Sequence, residues 1–549
     1  MDFGSIDIGF EVTSFFEKEK YNSFEKANSA LKEETGIVAF FESEEDFIQL
    51  QQTLKDNQNM VAENRIEYGD FQTNKQLAES VCYYLKNKNV NPKILLEPTC
   101  GRGNFILSAI KTFDSLQQIF GVEIQEKYLW HLKFELLVYF LNNPTANKPQ
   151  IQLYHCSVFD FDFKQIKQQI KGQELLVIGN PPWVTNSTLS TLDSKNLPQK
   201  SNFKKAKGLD AITGKGNFDI GESISVKMLD LFSKENGHFA FLVKNLVIKN
   251  IVFDQRKNKY PISNIEKHTI DAKKEFAAAV DAGLFVCKFN STPEFTAKEF
   301  DFYTSKPRVT LGWVNDKFAS DTEKYKKYQH LDGLCPFEWR QGVKHDCAKV
   351  MELERTESGF RNQLGEEFEL EEDLVYGILK SSDLQQNTVD APRKYTIVTQ
   401  KKIGEETSQI LEKLPKTKAY LNRHKDYFLN RKSSIYNGKP MFSIFGVGNY
   451  SFKPYKVAIS GLYKQTKFTL VKPNGTVLLL DDTCYFIGFD TLEEAQDVQN
   501  LLNQSETQAF IESFMFTDAK RVITKDLLMR IGLNSYSAHH TNKQTALFA

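Results

Sequence analysis

The segment with the clearest chemical content is Asn180-Pro181-Pro182-Trp183, which follows the apolar run Val177-Ile178-Gly179. Two consecutive prolines fix the backbone and remove two N–H donors. What remains is a set of acceptors, the backbone carbonyls and the Asn180 amide oxygen, beside an indole. That set suits a planar ring bearing an exocyclic amine, whose hydrogens the acceptors hold while the indole stacks on the ring. A proline-stiffened strand exit is the plainer alternative. An Asn/Asp-Pro-Pro-aromatic run arises by chance in only roughly 1% of chains of this length, which favours the binding role.

Upstream, Leu95-Leu96-Glu97-Pro98-Thr99-Cys100-Gly101-Arg102-Gly103 leads from an apolar run through an acid and two glycines into a helical stretch. Gly101 and Gly103 would let the backbone approach a ligand at the carboxyl edge of a parallel sheet. The spacing falls short of the full dinucleotide fingerprint, and a tight structural turn is an equal alternative. About twenty residues on, Gly121-Val122-Glu123-Ile124 sets an acid at the next strand end. A carboxylate there can accept both hydroxyls of a ribose; an ordinary strand-end acid is the other reading.

These residues need a scaffold. Between about 90 and 305, short apolar runs (93–98, 118–124, 151–156, 174–180, 237–243 and 283–289) alternate with amphipathic stretches such as NFILSAIKTF and EKYLWHLKFELLVYFL. Such alternation predicts a Rossmann-like α/β domain with a mixed, mostly parallel sheet. Residues 1–65, rich in Glu, Gln, Asn and Lys with Phe and Leu at helical spacing, predict a helical extension. After about 320 the strands shorten, turns such as PNGT and YNGK appear, and helical periodicity is sparse until 491–504. This part reads as a separate α+β domain.

Composition bounds the class. The 549 residues are 41% hydrophobic and 13% aromatic, which excludes a disordered chain, and their length predicts two to four domains. The 70 Lys+Arg balance 70 Asp+Glu, which excludes binding of nucleic acid through bulk charge. Locally the charge is uneven, with an acidic stretch at 351–373 and basic ones at 393–402 and 413–432. Solvated faces or a flexible segment are the commoner meaning of such runs. Seven scattered cysteines without a CxxC pair predict a reduced compartment, with neither disulfides nor a metal site. No signal peptide and no apolar stretch of about 18 residues is found, so a cytoplasmic protein without membrane spans is expected.

Taken in order, these motifs resemble the γ-class adenine-N6 DNA methyltransferases dependent on S-adenosylmethionine, the group typified by the TaqI modification enzyme. The resemblance covers about residues 66–535. It implies a catalytic domain over 66–305, a DNA target recognition domain over 320–535, and a tail at 536–549. It also implies site residues. Tyr68-Gly69-Asp70-Phe71-Gln72-Thr73-Asn74 matches the first cofactor motif, giving Phe71 and Thr73 at the methionine end. Glu97, Gly101 and Gly103 match the Gly-rich turn, Glu123 the ribose acid, and Ser157 stands where an acid usually meets the cofactor adenine, with Asp160 displaced. Asn180, Pro181 and Trp183 match the catalytic loop, Trp replacing the commoner Tyr. Phe276, in Lys274-Glu275-Phe276-Ala277, matches the aromatic that packs on a flipped base, a core Phe being the alternative. Gly216-Asn217-Phe218-Asp219 fits a further motif loosely, and 513–533 resembles the segment closing the recognition domain.

The activity so implied is methylation of a flipped adenine in double-stranded DNA by a monomer, as the modification component of a restriction-modification system whose endonuclease acts separately. Lys195, Lys200, Lys204, Lys205 and Lys207 in the 193–208 segment would contact phosphates, as could 393–432. Methylation of structured RNA and an inert DNA-binding subunit of a restriction complex remain the alternatives.

Overall fold

The computed structural model describes residues 8–19, 21–56, 72–183, 219–278, 280–517, 519 and 521–533. Residues 68–71 with Phe71, the lysine-rich 193–208 segment, residues 216–218 and the tail lie outside the described residues. The chain divides into two compact units, Met1–Trp313 and Val314–Ala549. Among the described residues no helix is long and apolar enough to cross a membrane.

The first unit begins with three helices, α1 (Phe10–Glu19), α2 (Phe24–Thr35) and α3 (Glu44–Asp56). The Rossmann-like part follows as α4 (Lys75–Asn87), β1 (Ile94–Glu97), α5 (Asn104–Thr112), β2 (Gln118–Glu123), α6 (Glu126–Asn142), β3 (Gln150–His155), α7 (Lys164–Ile170) and β4 (Leu175–Gly179). It continues through α8 (Ile220–Phe232), β5 (Gly237–Lys244), α9 (Asn245–Asn258), β6 (Ser263–Ile270), α10 (Ala272–Phe276), β7 (Ala282–Lys288), β8 (Thr296–Asp301) and β9 (Pro307–Val314).

Within the first unit the sheet order is β9-β8-β6-β7-β5-β4-β1-β2-β3. Strands β1 to β5 pair with one another in parallel, and β7 runs antiparallel between β5 and β6. Every residue of β1 and β4 is buried, which is why these strands read as continuous apolar runs rather than alternating ones. The chain winds from β1 through β2 to β3 on one side and from β4 to β5 on the other. The order therefore reverses between β1 and β4, and their carboxyl ends leave a crevice at that switch point.

The N-terminal helices close one flank of this sheet. Phe40 and Phe41 meet the Trp130 ring of α6 at 6.0 and 5.7 Å. The backbone at Gly36 to Val38 pairs with Ile151 on β3, covering that edge strand (Val38 N to Ile151 O 2.9 Å, Ile151 N to Gly36 O 2.8 Å).

The second unit holds two sheets, mostly antiparallel. One orders Arg340–Gln341, Cys484–Phe489, Tyr455–Ser460, Thr469–Val471 and Thr388–Val389; the other runs from Glu367–Phe368 to Leu479–Leu480. Residues 513–533 return to its core, burying Phe514, Ile523, Leu528 and Ile531. Two helices, Pro415–Arg423 and Lys425–Leu429, occupy the basic stretch where helical periodicity is sparse. Their apolar stripe is only Tyr420, Leu421 and Phe428, too narrow to stand out among the charges. The acidic and basic stretches are partners in part: Glu352 pairs with Lys394 (3.5 Å), Glu369 with Lys416, and Glu366 with His424 (2.9 Å).

Candidate active site

The crevice at the β1/β4 switch point is a cleft partly open to solvent. Six of the site residues singled out by sequence line it, Thr73, Glu97, Gly101, Glu123, Asn180 and Pro181, and Pro182 lines it beside them. The turn after β1 is built by Cys100 N donating to Val122 O (2.9 Å) and Gly103 N to Cys100 O (2.7 Å). Both glycines have left-handed backbone, φ 50° at Gly101 and 74° at Gly103. They differ in what a side chain would meet. A Cβ on Gly101 would lie 2.8 Å from Gln72 Oε1 at the cleft wall, whereas one on Gly103 would lie 2.2 Å from Leu132 Cδ1 of α6. Gly103 is thus required by helix packing and does not line the cleft.

Glu123 ends β2 with both carboxylate oxygens engaged, Oε2 accepting Gly101 N (2.8 Å) and Oε1 accepting Gln125 N (2.9 Å). Glu97 ends β1 only 3% exposed, with Oε2 buried and without a hydrogen-bond partner. Burial, and then the Glu123 charge, push its carboxyl well above the usual carboxylate range against the pull of the Ile106 amide. Two acids in one cleft, one of them short of a partner, make a site for a ligand that brings positive charge and hydroxyl or ammonium donors.

The remaining wall comes from residues that the sequence did not single out as site residues. Gln72 accepts Arg102 N (3.3 Å), and Asn104 at the start of α5 donates to Thr73 O (2.7 Å), tying the first motif to the Gly-rich turn. Ile124, Tyr128, Val158 and Ile224 supply apolar surface. Ser157 does not line the cleft, since its hydroxyl accepts Phe159 N (3.3 Å); its neighbours Cys156 and Val158 do. Asp160 is exposed. Lys227 of α8 secures this exit from β3 by donating to the carbonyls of Val158 (2.7 Å) and Phe159 (2.9 Å).

The Asn180-Pro181-Pro182-Trp183 loop leaves β4 and is fastened to β5 through Trp183. Trp183 Nε1 donates to Leu242 O (3.2 Å). Lys244, the last residue of β5, pairs at 2.7 Å with Asp219, whose other oxygen caps α8 by accepting Gly221 N (2.9 Å). Gly221 lies against the loop, a Cβ there being 3.4 Å from Pro182 O. Burial raises the Asp219 carboxyl, while Lys244 draws it back down. The Trp183 and Phe276 rings meet edge to face, 4.8 Å between centroids and 67° between planes, so the structure brings together both aromatic candidates. It also buries them, at 4% and 9% exposure, on the core side of the loop rather than in the cleft.

No family model matches the chain. It is 40% identical over 476 residues to the type II methyltransferase M.NspV of Nostoc sp., an alignment covering 86% of this chain and 98% of that protein. It is 26% identical over 208 residues to the type II methyltransferase M.VspI of Vibrio sp., covering 38% and 44%. Among solved structures, the type IIG restriction endonuclease BpuSI aligns at 12% identity over 88% of this chain and 60% of its own, with a TM-score of 0.35. A type I restriction modification subunit from Vibrio vulnificus aligns at 12% identity over 53% and 55%, with a TM-score of 0.29. On the full-length likeness to M.NspV, the chain belongs to the type II methyltransferase family.

Proposed function

We propose that this protein transfers a methyl group from S-adenosylmethionine to the N6 of an adenine flipped from duplex DNA, as the modification component of a restriction-modification system. The observation that carries this reading is the sharing of one cleft by two site types: the Gly101–Glu123 pair, and the acceptors of Asn180 and Pro181. The cleft's acids, the unpartnered Glu97 oxygen and its apolar walls fit S-adenosylmethionine. Glu123 would hold the ribose hydroxyls, Glu97 and Thr73 the charged methionine end, and Ile124 and Val158 the flat adenine. When bound, that group supplies an electrophilic methyl on a sulfonium.

The chain's own residues do the rest. The N6 lone pair of adenine is delocalised into the ring and hidden by base pairing, so the base must leave the stack at a cost of about a few kcal/mol. Asn180 Oδ1 and the Pro181 carbonyl accept the two N6 hydrogens, which turns the nitrogen toward sp³ and aims its lone pair at the methyl. The gain is one of orientation and fixed dipoles. The two prolines keep those acceptors in place, and the Lys244–Asp219 pair fixes the start of α8, whose Gly221 lies against Pro182. Trp183 and Phe276 form the aromatic wall behind it; stacking of the target base on the indole requires their mutual contact to open.

The test is incubation with tritiated S-adenosylmethionine and either mixed-sequence duplex DNA or structured RNA, followed by nucleoside analysis. Label in N6-methyladenine from DNA, lost in Asn180→Ala, is the expected result. Label in cytosine or in RNA, or an Asn180→Ala variant as active as the parent, overturns the proposal.

A further inference from the structure

Only some cations of the second unit's basic stretch are neutralised by neighbouring acids. Lys394 and Lys416 pair with Glu352 and Glu369, and Arg393 with Asp383, whereas Lys401, Lys402, Lys413 and Lys418 form no ion pair among the described residues. Beyond them, residues 423–441 hold five cations (Arg423, Lys425, Arg431, Lys432, Lys439) against one acid, Asp426. Among the described residues, Arg423, Lys425, Lys432 and Lys439 form no ion pair, and all four are exposed.

The same segment exposes apolar side chains. Leu429 is 63% and Met441 42% accessible, with Tyr427 and Ile435 exposed beside them in sequence. It is nevertheless rigidly anchored. Phe428 and Phe442 are buried 5.1 Å apart in the core, and Tyr436 donates to Lys344 O (3.2 Å). Arg431 lies 3.6 Å over the Tyr436 ring while its guanidinium donates to the carbonyls of Phe428 (3.0 Å), Met441 (2.8 Å) and Ser443 (2.6 Å). One arginine therefore staples the two ends of the segment together, and the exposed side chains stand on a fixed frame.

We propose that residues 423–441 are a preformed docking element for duplex DNA. Arg423, Lys425, Lys432 and Lys439 contact phosphates, and Leu429 and Met441 lie against sugar and base edges in the groove between them. Unpaired cations around exposed aliphatic side chains match the make-up of groove-binding elements, in which basic residues meet the backbone and apolar ones meet the bases. An excess of cations with one acid does not suit a protein partner of ordinary mixed charge. The element deepens the functional reading above and rests on DNA being the substrate.

The two contact types separate in a salt titration of full-length protein binding to mixed-sequence duplex DNA. Lys425→Gln/Lys432→Gln/Lys439→Gln should reduce the slope of log affinity against log salt by about three, one per lost phosphate contact. Leu429→Ala/Met441→Ala should leave the slope unchanged and weaken binding about tenfold at every salt concentration, as loss of buried apolar contact does. All five side chains are exposed, so both variants should keep the parent's unfolding temperature. If the parent methylates DNA while both variants bind it with the parent's affinity and slope, the docking element is wrong and the function stands. If the parent labels RNA and not DNA, the functional reading fails first. Conversion of a dimer to a monomer by Leu429→Ala/Met441→Ala, with DNA binding intact, assigns the surface to a second copy and overturns the proposal.

Discussion

The Gly101 amide donates to Glu123 Oε2 at 2.8 Å, so the acid that ends β2 is aimed by the turn that ends β1. One bond thus couples two strand ends at the switch point, and the Gln125 amide holds the other oxygen. Glu123→Gln keeps the volume but places an NH₂ against one of these two donors. Losing a charge-assisted bond of this kind costs about 1.5–3 kcal/mol. S-adenosylmethionine affinity, measured by calorimetry, should fall by about ten- to a hundredfold; unchanged affinity would show that Glu123 does not touch the ligand.

Glu97 gives the ligand-free protein a pH signature. Its folded carboxyl holds its proton more tightly than the unfolded one, because burial and the Glu123 charge raise it. The stability it contributes is therefore present below the usual glutamate range and is lost as pH rises through the folded value. Glu97→Gln should raise the melting temperature at pH 8 by a few degrees, with the gain fading toward pH 5. A bound cation favours the carboxylate, so ligand binding to the parent should release protons. Calorimetry in buffers of different ionisation enthalpy should detect that release, and Glu97→Gln should abolish it. A parent that takes up protons contradicts the assignment.

How much of this was legible in the sequence depended on how local each interaction is. Glu97, Glu123 and Asn180 stand at ends of fully apolar runs, and burial of those strands on both faces is written into their composition. The partners that orient them are not local. Gly103 looks like a ligand glycine, but the atom that demands it belongs to Leu132, one helix away. Ser157 sits one residue from two cleft-lining positions, a difference decided by how the chain turns after β3, where its hydroxyl is used on Phe159 N. The indole N–H of Trp183 finds Leu242, 59 residues on, so its burial could not be read from the loop itself. The charge runs of the second unit likewise gained meaning only when folding brought Glu352 to Lys394 and left Lys425 and Lys432 without ion-pair partners among the described residues.

Cysteine accessibility offers an independent check on the cleft. Six of the seven cysteines are buried; Cys156, on the cleft wall, is partly exposed. Cys100 also lines the cleft, but burial and the charges of Glu97 and Glu123 push its thiol up, which keeps it unreactive. Limited alkylation should therefore modify Cys156 first, as read by peptide mass mapping. S-adenosylmethionine should slow that modification at least several-fold, and Glu123→Gln should restore it at the same ligand concentration. Equal labelling with and without ligand would place the ligand away from this wall.

Trp183 separates a packing role from a chemical one. Its ring is 4% exposed, meets Phe276 edge to face, and donates to Leu242 O. Trp183→Ala removes all of that contact and should cost about 3–5 kcal/mol in unfolding free energy, together with activity. Trp183→Phe keeps a ring but loses the N–H, which should cost only about 1 kcal/mol. If the indole also stacks on the flipped adenine, Trp183→Phe should retain most of the turnover while Phe276→Ala, which frees one face of the indole, should alter the affinity for DNA containing an abasic or mismatched site more than it alters kcat. If Trp183 serves packing alone, turnover in the three variants should follow their stability, and binding to damaged and intact duplexes should change in parallel. Measuring unfolding, kcat and damaged-duplex affinity on the same preparations distinguishes the two, because only a stacking role moves the third quantity independently of the first.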